Sequence, residues 1–181
     1  MREFSKATMV AGALLTALFL AILATETSRE CPVVGELSRT EPIRRNMERL
    51  RKVLMTVERR LDAMPHLSEA SQIELMNASV SLLKDYLLPH LDAEEAVLYP
   101  AVDRIFAGTA VPWTEGLRLE HQILRRWIEE MEAQANASMP DAPSFVRRGE
   151  RLLGLIEAHF EVDAETVLPL LDGLRPLTSA R

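Results

Sequence analysis

The chain has 181 residues, 48% of them hydrophobic, enough for one domain with a sizeable core and too few for two of ordinary size. Its 21 basic and 27 acidic side chains give a net charge of -6, with the basic residues spread along polar helix faces, which argues against nucleic acid as a partner. The single cysteine, Cys31, excludes an internal disulfide framework and any thiolate cluster, so a metal site here has to use imidazole and carboxylate.

Few glycines and aromatics, frequent Ala, Leu, Glu and Arg, and no strand-length alternation of apolar and polar residues predict an all-α protein. The first element is apolar all round. No charge interrupts the chain between Lys6 and Glu26, and nineteen helical residues from Ala7 to Thr25, at ~1.5 Å each, come close to the ~30 Å hydrocarbon thickness of a bilayer. With Arg2 and Lys6 before it, residues 1–27 read as a transmembrane anchor or a cleaved signal segment, which places the rest outside the cytoplasm. The alternative is a further buried helix of a cytoplasmic bundle. Residues 28–36 are a linker, 37–175 the folded domain and 176–181 a tail.

Ile43, Met47, Leu50, Leu54, Val57 and Leu61 recur at steps of four and three, one face of a helix over about 39–64 that Thr40 or Ser38 can cap and Pro65 ends. Ser68 opens a second helix, about 68–106, with the inner stripe Leu83, Leu87, His90, Glu94, Val97 and Leu98 and with kinks expected at Pro89 and Pro100. Pro112, Trp113 and Thr114 start a third, ending near Ala137, with Leu117, His121, Leu124, Ile128 and Met131 inside. After a loop from Asn136 to Pro143, Ser144 starts a fourth with Leu152, Ile156, His159, Asp163 and Val167 inside. Short connections make successive helices antiparallel, hence an up-down four-helix bundle.

Three of the four histidines, and carboxylates four residues after two of them, fall where this periodicity demands apolar side chains. A buried imidazole or carboxylate is costly unless paired or bound to a cation, whereas groups at i and i+4 point the same way and share one ion. His90 with Glu94, His121, and His159 with Asp163 are therefore the candidate metal ligands, a nitrogen and oxygen set that suits iron, manganese or zinc. His66 reads as a loop residue. Glu95 and Glu161 read as polar-face residues, Glu165 as a reserve ligand, and Trp127 as core filler.

The run from Leu87 through His90, Glu94 and Glu95 to Tyr99-Pro100 resembles the second-helix signature of the hemerythrin-like (HHE cation-binding) family, and Glu120-His121 with Arg125-Arg126 resembles its third-helix signature. His159 through Asp163 to Pro169 repeats the second-helix pattern at equal length. The resemblance, over about Thr40 to Leu171, implies an up-down bundle with a non-haem di-iron centre, two bridging carboxylates and reversible binding of oxygen or related small ligands. The expected function is a non-enzymatic iron-binding module, di-iron or mononuclear, with a small diatomic ligand or peroxide as partner; a di-iron oxidase usually draws on more carboxylates than this core offers. On helix one, Thr40 stands where that family has a histidine, and its hydroxyl is expected to face the metal-poor end of the site, where the vacant position is left to water or to Glu41, a single metal is kept, or the metal is lost. A metal-poor bundle acting as a structural or interaction module is the alternative.

Overall fold

Capping side chains and prolines divide the chain into four helices in the computed structural model, which describes residues 40–108 and 112–173. Helix α1 is Thr40–Ala63 and buries the whole predicted stripe, with Thr40 at its outer end. A 3-10 turn at Met64–His66 carries Pro65 and stops it. Ser68 then caps α2, its hydroxyl oxygen accepting from the Ser71 amide. Helix α2 runs over 69–105, α3 is Glu115–Ala135, and α4 runs over 142–173. The fourth helix starts at Ala142, two residues earlier than its sequence suggests, because Asp141 accepts from the Ser144 amide and Pro143 fits the first turn, where a missing N–H costs little.

Side-chain contacts give the direction of each neighbour. Along α1 and α2, Arg60 meets the Ala78 carbonyl while Asn46 meets His90. Between α2 and α3, Lys84 pairs with Glu132 and Tyr99 meets His121. Between α3 and α4, Glu130 pairs with Arg148 and Glu120 meets His159. Between α4 and α1, Gly149 lies against Leu61 while Asp172 meets Thr40. In every case one number rises as the other falls, so all four neighbouring pairs are antiparallel, the expected up-down order. Among the described residues there is no strand.

Helices α2 and α4 are not regular. Before Pro89 and Pro100, where kinks are expected, the chain makes π turns at Leu83–Leu87 and Glu94–Leu98, and α4 does the same at Asp163–Val167 before Pro169. Proline has no N–H for the carbonyl four residues back and its ring crowds that carbonyl. The backbone widens instead: the amides of Leu88, Tyr99 and Leu168 each bond five residues back, to Leu83, Glu94 and Asp163. Each widening adds one residue to the turn and shifts the inner stripe. Val97, expected inside, is half-exposed, and Tyr99 is buried in its stead.

The proposed membrane helix, residues 7–25, lies outside the described residues, among which no helix is long and apolar enough to cross a membrane.

One close approach sets the spacing of α1 and α4. A Cβ at Gly149 would stand 2.6 Å from Leu61 Cδ1, and Leu61 is itself buried. Gly154, one and a half turns further along α4, is exposed and has nothing within 4 Å. Gly154→Ala is expected to raise stability by roughly 0.5–1 kcal/mol through helix propensity alone. Gly149→Ala gains the same propensity but overpacks the core, at a cost of about 1–3 kcal/mol, and is expected to be neutral or destabilising. Urea unfolding midpoints of the two variants check this; equal gains would mean that the helices separate freely at this level.

Candidate metal centre

All five side chains singled out by the sequence are at most 1% exposed, and the bundle brings them together. Helix α2 supplies His90 and Glu94, α3 supplies His121, and α4 supplies His159 and Asp163. Glu94 is central. Its Oε1 lies 3.0 Å from His90 Nε2, and its Oε2 lies 3.3 Å from His121 Nε2 and 3.4 Å from His159 Nε2. Asp163 Oδ2 lies 3.1 Å from His159 Nε2. Two sets of three ligand atoms result, Glu94 with His121 and His159, and Glu94 with His90 and Asp163, so the carboxylate of Glu94 belongs to both.

The orientation of these groups matters as much as their distance. His90 Nε2, Glu94 Oε1 and both carboxylate oxygens of Asp163 are fully buried without a hydrogen-bond partner. His90 Nε2 and Glu94 Oε1 are thus close but not aligned on one another, and both lie within 4.8 Å of an Asp163 oxygen. Buried polar atoms left this way are rare in proteins and call for a partner, and a cation among imidazole nitrogens and carboxylate oxygens satisfies all four. The residues present therefore fit a metal ion, or a pair sharing Glu94.

The outward nitrogens of the same rings are held too. His121 Nδ1 is 2.8 Å from Glu95 Oε1, His159 Nδ1 is 3.2 Å from Glu120 Oε2, and His90 Nδ1 is 3.3 Å from the Asn46 side-chain amide. Arg125, four residues beyond His121, donates to Glu95 and to Asp92. At His121 and His159, where a carboxylate accepts, an Nδ1–H that donates outward leaves Nε2 with its lone pair directed inward, the arrangement in which neutral imidazole binds metal, whereas the Asn46 NH2 donates to Nδ1 of His90.

Sequence reasoning missed four of these residues. Glu95 and Glu120 sit on half-exposed faces, where a carboxylate is ordinary. Asn46 lies beside the apolar stripe of α1 and carries no motif. Tyr99 is buried by the π turn that begins at Glu94, and its hydroxyl lies 2.7 Å from His121 Nε2. The signal for Tyr99 was Pro100, which forces the shift.

Helix one departs from expectation. Thr40 is buried, as its stripe requires, but its hydroxyl donates to Asp172 Oδ1 at 2.8 Å instead of standing open towards the centre. Arg44 binds the other oxygen of Asp172 at 2.6 Å. Glu41 is exposed and pairs with Arg45, so it does not replace a ligand. Glu165 and His66 are exposed and outside the cluster, and Trp127 packs against the core.

Electrostatics follow from burying these groups together. Burial raises the Asp163 carboxyl to about 8, helped by the charge of Glu94 beside it. Burial works against charge on His159 as well, but hydrogen bonds to Glu120 and Glu94 outweigh it and push its value up to about 10. Burial would raise Glu94, yet hydrogen bonds from His121 and His159 and the neighbouring His90 together hold it well below the usual carboxylate range. Tyr99 is raised by burial and by the surrounding carboxylates, and stays a neutral phenol.

A histidine- and carboxylate-lined cation site in the core of an antiparallel four-helix bundle defines a class of metal-binding bundle proteins. The family model of the hemerythrin HHE cation binding domain matches residues 38–171, and the chain belongs to that family. No curated protein and no solved structure gives a significant match.

The raised values of Asp163 and His159 have a sign that can be measured. A group whose folded value lies above its unfolded one contributes stability at low pH and loses it as pH rises, here between 3.8 and about 8 for Asp163 and between 6.5 and about 10 for His159. Chelator-treated protein is therefore expected to melt at progressively lower temperature as pH rises from 6.5 to about 10. A metal ion needs both groups deprotonated, so its uptake at neutral pH should release protons and largely offset that loss. Melting curves across this range and a pH-stat titration with metal check both; uptake without proton release would contradict the assignment of Asp163 and His159.

Proposed function

We propose that this chain is a non-enzymatic, non-haem iron protein that binds or senses oxygen, nitric oxide or peroxide close to a membrane. The observation that carries it is the convergence of three Nε2 atoms and two carboxylates on one buried space, with four of those atoms otherwise unpartnered. His90, His121 and His159 would hold the metal through Nε2, with Glu94 shared between two positions and Asp163 completing the set. Iron held there would supply a redox-active Lewis acid able to take a small exogenous ligand. Around it, Leu91, Leu98, Leu124, Ile156 and Phe160 are buried and limit the access of water. Phe160 stands edge-on to His90, with ring centroids 5.3 Å apart. Tyr99 offers the one phenolic O–H among the buried groups of the centre and is placed to donate to a small bound ligand.

One observation favours the second reading, a metal-poor bundle used for interaction. On helix one Thr40 and Arg44 are both engaged with Asp172 and contribute no ligand. Metal analysis decides between the two. Full-length protein is expected to contain iron, and His121→Ala and His159→Ala are each expected to weaken its binding at least as much as loss of an outer-shell partner does, roughly 10–100-fold. His66→Ala should have no effect. A parent protein that neither carries nor takes up metal would sink the iron reading and favour the interaction one.

The membrane part of the proposal is supported by the uncharged run from Ala7 to Thr25 after Arg2 and Lys6. A reporter that folds only outside the cytoplasm, fused after residue 36, is expected to be active, and to be inactive when residues 7–25 are deleted. Inactivity of the intact fusion would point to a cytoplasmic bundle.

A further inference from the structure

The three histidines of the centre are not held alike, and the pattern follows the order of the helices. Glu95 on α2 takes the Nδ1 of His121 on α3, and Glu120 on α3 takes the Nδ1 of His159 on α4. Each of these glutamates directly adjoins a ligand in sequence: Glu95 follows Glu94, and Glu120 precedes His121. A helix therefore turns one residue inward as a ligand and uses its neighbour, about 100° round the helix, to reach sideways to the imidazole of the next helix. Arg125 braces the first of these contacts by donating to Glu95 at 3.2 Å.

The internal repeat extends the comparison to the fourth corner. His90 to Pro100 and His159 to Pro169 have equal length, and both carry a π turn that starts on the carboxylate, at Glu94 and at Asp163. Glu95 therefore corresponds to Ala164, and Tyr99 to Leu168. Ala164 is half-buried, as Glu95 is, and packs against the core. The residue that corresponds to His121 is Thr40, with Arg44 and Arg45 following it as Arg125 and Arg126 follow His121. At the α2–α3 corner the three positions are histidine, glutamate and tyrosine. At the α4–α1 corner they are threonine, alanine and leucine, and Arg44, with no glutamate at 164 to bind, pairs with Asp172.

Building on the metal-binding reading above, we infer that Glu95 and Glu120 are positioning residues that lock His121 and His159 for metal through Nδ1, and that the α4–α1 corner lacks imidazole and lock together. The centre is then asymmetric by construction. Its metal affinity is concentrated at the His121–His159 side, and a histidine placed at position 40 lacks a counterpart of Glu95, since Asp172 beside it is held by Arg44.

The test measures metal affinity of the full-length protein by chelator competition, with zinc as a redox-silent probe and ferrous iron under anaerobic conditions. Melting of the metal-free form is followed in parallel. Glu95→Ala and Glu120→Ala are each expected to weaken affinity about 10–100-fold, while Glu161→Ala, on an exposed position of α4, does not. Because these hydrogen bonds also stabilise the metal-free bundle, some fall in its melting temperature accompanies each glutamate variant, and the affinity losses are expected to exceed it. Where an alanine variant does not fold, Glu95→Gln or Glu120→Gln keeps an acceptor oxygen and should give a smaller loss of the same kind. Thr40→His alone is expected to leave metal capacity unchanged, and Thr40→His combined with Ala164→Glu to raise it.

Affinities equal to the parent in both glutamate variants would overturn the inference, as would losses matched by a fall in metal-free stability, which a purely structural role produces. Equal capacity for Thr40→His with and without Ala164→Glu would overturn its second half. A parent chain that binds neither zinc nor iron sinks the metal reading itself, an outcome distinct from a parent that binds metal and variants that bind it as well.

Discussion

Two carboxylates and three imidazoles share the centre of this bundle with almost no contact with water, and the arrangement of the helices around them has to answer that fact. Transfer of an isolated carboxylate into an apolar interior is prohibitive, so such groups are neutralised, paired or bound to a cation. The protein uses pairing as far as geometry permits. Glu94 is held charged by three histidines, and Asp163, with two unpartnered oxygens, is pushed towards its neutral form. Glu94 and Asp163 stand in equivalent places in the repeat, and their opposite shifts arise because burial and the charge of Glu94 raise Asp163, whereas hydrogen bonds from histidines outweigh burial at Glu94. A divalent or trivalent cation removes that imbalance, because it replaces protons on both sides with one shared charge.

The same constraint explains which parts of the fold a reader of the sequence can find. An inner stripe at steps of three and four is a repeated signal, and every apolar member of the α1 stripe is buried as its spacing requires. A histidine on such a stripe stands out because it breaks the pattern, and for that reason His90, His121 and His159 are legible. Their outer partners are not. A glutamate on a half-exposed face looks the same whether it meets solvent or the Nδ1 of a neighbouring helix, and only the packing of α2 on α3 and of α3 on α4 separates Glu95 and Glu120 from Glu161 and Glu165.

Phase is the second thing that a regular periodicity hides. A stripe read at 3.6 residues per turn puts Val97 inside, but the π turn ahead of Pro100 holds one more residue and turns Tyr99 inward. Thr40 shows the converse limit. Its burial followed from the stripe, whereas the direction of its hydroxyl depended on Asp172, which lies 132 residues away and belongs to no motif. Long-range polar pairs of this kind leave no local trace in the chain.

The π turns at Glu94 and Asp163 also bear on how this protein can change. A wide turn is an α turn with one residue to spare, so deletion of a single residue there yields a shorter, regular helix, with everything beyond it rotated by about 100°. For α2 that rotation would carry Tyr99, Val102 and Asp103, which accepts from the Thr114 amide just before α3, away from their partners and leave His90 where it is. The two halves of α2 are joined by a joint that counts residues. Point substitutions can exchange one ligand for another within such a frame, but insertions and deletions next to the carboxylates rebuild one end of the bundle. Variation in length is therefore to be sought in the connections between helices, well away from the residues that surround the metal.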